Sequence, residues 1–147
     1  MIGKGEGLSD LVEELAAKQA ITEVLHRYCH AVDQIDAELG SRIWHPGGSA
    51  HYEGVFEGTG EGFMEWVLES MRSTESRSHL LTNVLIHVDG DQAKSESYVH
   101  AFRRMDGKDV IVYGRYSDTW SRRDAEWRID DRRYRRDVLR IVPATSV

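Results

Sequence analysis

From Ser76 onward, apolar residues recur at every second position, interrupted only by short polar turns. A period of two is the mark of β-strands with one buried face. Four strands are predicted, at about 77–89, 92–105, 109–122 and 126–138. Asp89-Gly90 and Asp106-Gly107 occupy the first two connections and Asp124-Ala125 the third. Asp-Gly is a strong hairpin signal, because the tight turns that suit twisted strands need positive φ. Consecutive hairpins give an antiparallel meander, whose apolar face must be covered by a second layer.

The first half of the chain supplies that layer. Leu8, Leu11, Val12 and Leu15, then Ile21, Val24, Leu25, Tyr28 and Val32, fall at helical spacing. Ser9 is the expected N-cap, and Asp10, Glu13 and Glu14 suit the positive end of the helix dipole. The helix should reach about Asp33, either continuous or broken near Lys18. Asp36 is placed to cap a short second helix through Leu39 and Ile43, which His45-Pro46-Gly47-Gly48 would end. Ser49 to Phe56 reads as a strand. Gly58, Gly60 and Gly62 lead into a third helix striped by Phe63, Trp66, Val67, Ser70 and Met71. Residues 1–8 carry three glycines and read as a flexible tail, which leaves 9–143 as a single domain. The predicted class is α+β, with helices on one face of a curved, mainly antiparallel sheet.

Composition narrows the function. The 147 residues are 40% hydrophobic and 30% charged, an ordinary globular balance. The longest apolar runs are far too short for a membrane span, and the N-terminus has no secretory signal pattern. The single cysteine, Cys29, can form no internal disulfide, so a cytoplasmic location is expected. A net charge of -6 argues against nucleic acid as a partner. The C-terminal arginines are interleaved with acids and read as a salt-bridged strand face. No metal-ligand spacing occurs among the histidines, and Gly58-x-Gly60 lacks the βαβ setting of a dinucleotide site. No metal and no cofactor are expected.

Alternation sorts the faces of the strands. His79, Leu81, Asn83, Leu85 and His87 should share one face, and Ala93, Ser95, Ser97, Val99 and Ala101 the inward face of the next strand. Tyr98, His100 and Phe102 then point outward and suggest a homo-oligomer contact, dimer or trimer. Ile111 falls with Tyr113, and Trp127 with Ile129, Asp131 and Arg133.

Asp33 is the residue most in need of explanation. A carboxylate near the negative end of a helix is disfavoured by roughly 0.3–1 kcal/mol. A histidine partner would offset that cost, and the carboxylate would in turn fix the imidazole tautomer. His79, on a mostly apolar face, reads either as a satisfied core group or as that partner. Tyr28, Tyr52 and Tyr113 are core tyrosines or ligand donors, since a buried phenol needs a partner. Asn83 would orient a ligand oxygen or bond the backbone.

Three stretches carry a family resemblance: Ala20-Ile21-x-x-Val24-Leu25-x-x-Tyr28-x-x-x-x-Asp33, Ser78-His79-Leu80-Leu81-Thr82-Asn83, and Gly114-Arg115-Tyr116-x-Asp118-x-Trp120 with Trp127-Arg128-Ile129. Together they resemble the SnoaL-like branch of the NTF2-like superfamily, over nearly the whole chain after the tail. The resemblance implies a cone-shaped barrel enclosing a small-molecule pocket. By likeness to the dehydratases and dehydrochlorinase of that branch, Asp33 and His79 form a dyad. Its histidine takes a proton from carbon as a leaving group departs, without a cofactor. Tyr28, Tyr52 and Tyr113 fall where such enzymes place pocket tyrosines. Arg133 matches a late-strand arginine, with Arg132, Arg135 and Arg136 as alternatives in register. The implied substrate is a small apolar cyclic, polyketide-like or steroid-like compound and the implied enzyme a lyase or isomerase. The same fold also serves non-catalytic binding and assembly modules.

Overall fold

The computed structural model describes residues 7–145. In chain order the elements are helices α1 (Leu8–Gln34) and α2 (Ala37–Gly40), strands β1 (Trp44–Tyr52) and β2 (Phe56–Thr59), helix α3 (Gly60–Met71), and strands β3 (Ser76–Asp89), β4 (Gln92–Met105), β5 (Lys108–Arg123) and β6 (Glu126–Pro143). The strands form one sheet in the order β2-β1-β6-β5-β4-β3. β1 runs parallel to β6, and the other neighbours are antiparallel. The sheet is therefore mixed, and it is open at β2 and β3 rather than closed into a barrel. The helices lie on one of its faces, the α+β arrangement expected of one apolar sheet face.

Several boundaries differ from expectation for local reasons. α1 is unbroken, and it begins at Leu8 with Gly7 as N-cap rather than at Ser9. Most of the predicted tail, residues 1–6, lies outside the described residues. Asp36 does cap α2, accepting from the Leu39 N–H at 2.9 Å, but that helix stops at Gly40. Pro46-Gly47-Gly48 does not precede β1; it lies inside it, where the pairing to β6 jumps from Trp44↔Ile129 to Ser49↔Asp131. A proline without an N–H is tolerated at such an irregularity. The two later hairpins turn tightly, with positive φ at Asp106 and Gly107 and at Asp124 and Ala125.

Two of the sheet's one-residue irregularities decide which of the expected site residues face inward. In β3, Thr82 pairs with Tyr98 and Leu85 with Glu96, so Asn83 and Val84 together oppose one residue. Asn83 has φ 52°, a left-handed conformation that asparagine tolerates better than most residues. Beyond this bulge the faces invert: Val84, Ile86 and Val88 turn inward, while Leu85 is 72% exposed and His87 faces out. In β6, Thr119 pairs with Asp131 but Trp120 with Ile129, which leaves Asp130 as the extra residue. Trp127 and Ile129 face inward as expected, but Arg132 and Tyr134 follow them in place of Asp131 and Arg133. The Asp130 carboxylate is held by Ser121 Oγ at 3.0 Å and Arg123 at 2.9 Å, which anchors the bulge.

The core lies between α1, α3 and the sheet. Ile21, Leu25, Val32, Phe63, Ile43 and Ile129 are almost wholly buried, with Tyr52 stacked on Phe63 at 3.9 Å. Arg132 enters this apolar layer. It donates two bonds of 2.8 Å to Asp118, and neither side chain is exposed. Its guanidinium sits 3.8 Å over the Tyr116 ring and 4.8 Å over that of Tyr28. Burial pushes the Asp118 carboxyl up, and the adjacent Arg132 charge opposes that shift. Removing one member of a buried pair strands the other charge, at a cost of about 3–5 kcal/mol. Arg132→Met should lose stability of that order in urea unfolding. Adding Asp118→Leu should restore most of the loss, because apolar replacement of both partners leaves no buried charge.

Candidate active site

The candidate site forms where the end of α1 meets the start of β3. α1 ends at Gln34, its C-cap Ile35 has a left-handed φ of 53°, and the Asp36 N–H returns to the Ala31 carbonyl at 2.9 Å. The last turn has no basic residue of its own. β3 supplies what is missing, because Arg77 Nε donates to the Asp33 carbonyl at 2.9 Å and so satisfies one of the free C-terminal acceptors.

The Asp33 carboxylate is held twice by His79. The His79 backbone N–H donates to Oδ2 at 3.0 Å, and Nδ1 meets Oδ1 at 2.7 Å. The two side chains are 11% and 27% exposed, so the pair is sheltered but within reach of solvent. An ionised carboxylate only accepts hydrogen bonds. The neutral imidazole must then carry its proton on Nδ1, which leaves the Nε2 lone pair free to act as a base. His79 borders two spaces. One is a recess of about 430 Å³ lined by His26, Cys29, His30, Asp33 and Leu80 to Thr82. The other, on the inner side, is a void of about 30 Å³ among Met71, Ala101, Phe102, Arg103, Val110 and Val112.

The other expected site residues lie elsewhere. Tyr28 and Tyr52 meet hydroxyl to hydroxyl at 3.3 Å inside the core, and burial pushes both phenols up. Neither lines a space at His79. Asn83 and Arg133 border a concavity of about 920 Å³ on the outer face of the sheet, because the two bulges turn them away from the helices. Tyr113 is also on the outer face, 42% exposed and 4.3 Å from the His100 ring. Its inward counterpart is Tyr116, because β5 alternates without a break and buries Val110, Gly114, Tyr116, Asp118 and Trp120. Arg132, Tyr116 and Asp118 form the polar cluster not foreseen from sequence. A signal for it existed: Asp118 lies at two-residue spacing between Tyr116 and Trp120, which puts a carboxylate on a buried face that needs a cation.

The remaining candidates serve the fold. His45 Nε2 bonds the Ser121 carbonyl at 2.8 Å, and His51 lies between Glu57 and Asp131. Burial raises the Cys29 thiol to about 11, which keeps it protonated and a poor nucleophile. Among the described residues no group of three or more His, Cys, Asp or Glu gathers as a metal would require. Among them, too, no helix is long and apolar enough to cross a membrane.

Several solved structures are similar to this chain over most of its length. A protein from Novosphingobium aromaticivorans DSM 12444 provisionally named scytalone dehydratase aligns over 90% of this chain and 92% of its own, with 25% identity and a TM-score of 0.78. A type 3 hexachlorocyclohexane dehydrochlorinase from Novosphingobium barchaimii LL02 aligns over 89% and 93%, at 17% identity and a TM-score of 0.81, a likeness of fold alone. An Asp-to-Asn variant of a Mycobacterium tuberculosis protein of unknown function aligns over 91% and 78%, at 27% identity and a TM-score of 0.76. No curated protein sequence matches significantly. The SnoaL-like domain profile matches residues 13–133, from the first turns of α1 into β6. The chain therefore belongs to the SnoaL-like domain family.

Proposed function

We propose that the chain is a cofactor-independent lyase or isomerase in which His79, held by Asp33, removes a proton from carbon. The observation that supports this is the 2.7 Å contact between His79 Nδ1 and Asp33, which leaves Nε2 as the free ring nitrogen. Nε2 takes a proton from a carbon acidified by a neighbouring carbonyl. The electron pair of the broken C–H bond moves toward that carbonyl oxygen. In a dehydration the resulting enolate expels a hydroxyl from the β carbon, and the imidazolium returns its proton to the departing oxygen as water. In an isomerisation the same proton goes back to a different carbon. Asp33 stabilises the imidazolium between the two transfers. General base catalysis of this kind contributes about 10²–10⁴-fold.

The substrate that suits this reading is a small, largely apolar cyclic, polyketide-like or steroid-like compound. The names of the dehydratase and dehydrochlorinase of like fold favour elimination chemistry. A second reading, a non-catalytic binding module, is favoured by the filled interior: the void on the inner side of His79 holds little more than one water. We further propose a cytoplasmic homo-oligomer, dimer or trimer, joined through the outer sheet face, where Leu85, Tyr98 and Tyr113 are exposed.

Deuterium exchange separates enzyme from binding module. Incubated in D2O with a panel of cyclic ketones and β-hydroxyketones, the wild-type protein should introduce deuterium beside the carbonyl or release water from at least one compound. His79→Ala, with its circular dichroism unchanged, should lose about 10²–10⁴ of that rate. Equal exchange by both proteins would remove His79 as the base, and binding without exchange would favour the module. Light scattering at micromolar concentration should give a dimer or trimer, and Tyr98→Asp should weaken it. A monomeric wild-type protein would remove the proposed contact.

A further inference from the structure

The strand register lays two rows of side chains across the inner face beside His79. One row is His79, Ala101, Val112 and Leu139, and the next is Arg77, Arg103, Val110 and Ile141. Directly opposed residues on paired strands point to the same side, and diagonal neighbours lie within reach of a long side chain. His79 is therefore flanked by two guanidiniums and an apolar shelf.

Two like charges directly opposed across a strand pair are destabilising, and an anion near them relieves that repulsion. Arg77 spends its donors on neutral oxygens: the Asp33 carbonyl at 2.9 Å, Thr74 Oγ1 at 3.0 Å and the Thr74 carbonyl at 3.4 Å. Arg103 has less. Its Nε is buried with no hydrogen-bond partner, and among the described residues its guanidinium enters no ion pair. Other arginines of the same sheet, Arg104, Arg122 and Arg132 among them, each meet a carboxylate. A buried donor without an acceptor is costly, and a charged one more so. The void of about 30 Å³ that Arg103 shares with His79 has room for one water-sized group. Beyond it the apolar shelf is open, with Leu139 44% and Ile141 56% exposed.

We infer that Arg103 binds a carboxylate of the substrate, one oxygen of which enters the void beside His79 while the hydrocarbon body lies on Val110, Val112, Leu139 and Ile141. The inference rests on His79 being the proton-abstracting base, and it narrows the substrate class to apolar carboxylic acids. Arg103 is then a specificity-determining residue. An ester or amide of the same shape would leave its charge uncompensated, whereas a carboxylate offers the acceptor that the fold itself lacks.

Two probes of one shape test the charge. Cyclohexanecarboxylate and cyclohexanecarboxamide are titrated into the ¹⁵N-labelled full chain, and the backbone amides of Arg103, Val110 and Val112 are followed. The carboxylate should shift them saturably, and the amide should bind roughly 10–100-fold more weakly. Arg103→Gln should abolish the preference. Arg103→Lys, which keeps the charge but not the planar fork, should retain it in weakened form, and it decides the matter if the glutamine variant does not fold. Equal binding of both probes, no binding of either, or an unchanged preference in Arg103→Gln would overturn the inference. Deuterium exchange reads His79 without reference to Arg103, so failure of the base and failure of the carboxylate site give different results.

Discussion

A carboxylate in the last turn of a helix sits where the helix dipole is negative, and it persists there only if something opposite in character meets it. In this chain β3 does so. The His79 amide and imidazole both bond the Asp33 carboxylate, and Arg77 takes the Asp33 carbonyl. The three contacts join the end of the longest helix to the edge strand of the sheet. They also fix the orientation of the His79 ring. One local electrostatic problem thus positions a structural element and leaves His79 Nε2 unbonded to the carboxylate.

The other buried charges are arranged differently. Arg132 and Asp118 pair through two hydrogen bonds inside an aromatic layer, and neither side chain is exposed. Their contribution is to the packing of Tyr28, Tyr52 and Tyr116 and to the stacking of α1 and α3 on the sheet. The dyad lies at the margin of that layer, partly exposed, next to a recess and a row of uncovered apolar residues. The charged pair in the centre is wholly buried, and the pair at the edge is partly open to solvent.

Much of this was legible in the sequence because the relevant signals are local. Period-two alternation and the Asp-Gly turns locate β3 to β5 to within about two residues, and helical spacing finds α1 and α3. Asp33 and His79 stood out because each was out of keeping with its immediate surroundings. The inward set was less legible, because a single bulge inverts every later side chain and depends on hydrogen bonds to a distant strand. Asn83 and Asp130 are such points, and they account for the outward placement of Asn83 and Arg133. The partner of Asp118 was hidden for the same reason: Arg132 turns inward only after the extra residue at Asp130. Tyr113 falls on the outer face by the plain alternation of β5, next to Gly114, where a Cβ would come within 2.4 Å of the Tyr134 ring.

The protonation of His79 is where fold and chemistry meet, and it is directly observable. In ¹⁵N-edited spectra of the imidazole, at a pH where the ring is neutral, Nδ1 should carry the proton, with a downfield signal that is lost in Asp33→Ala, and Nε2 should be bare. A neutral ring protonated on Nε2, or an Nδ1–H signal indifferent to the loss of the Asp33 carboxylate, would contradict a histidine held as a base by the end of α1.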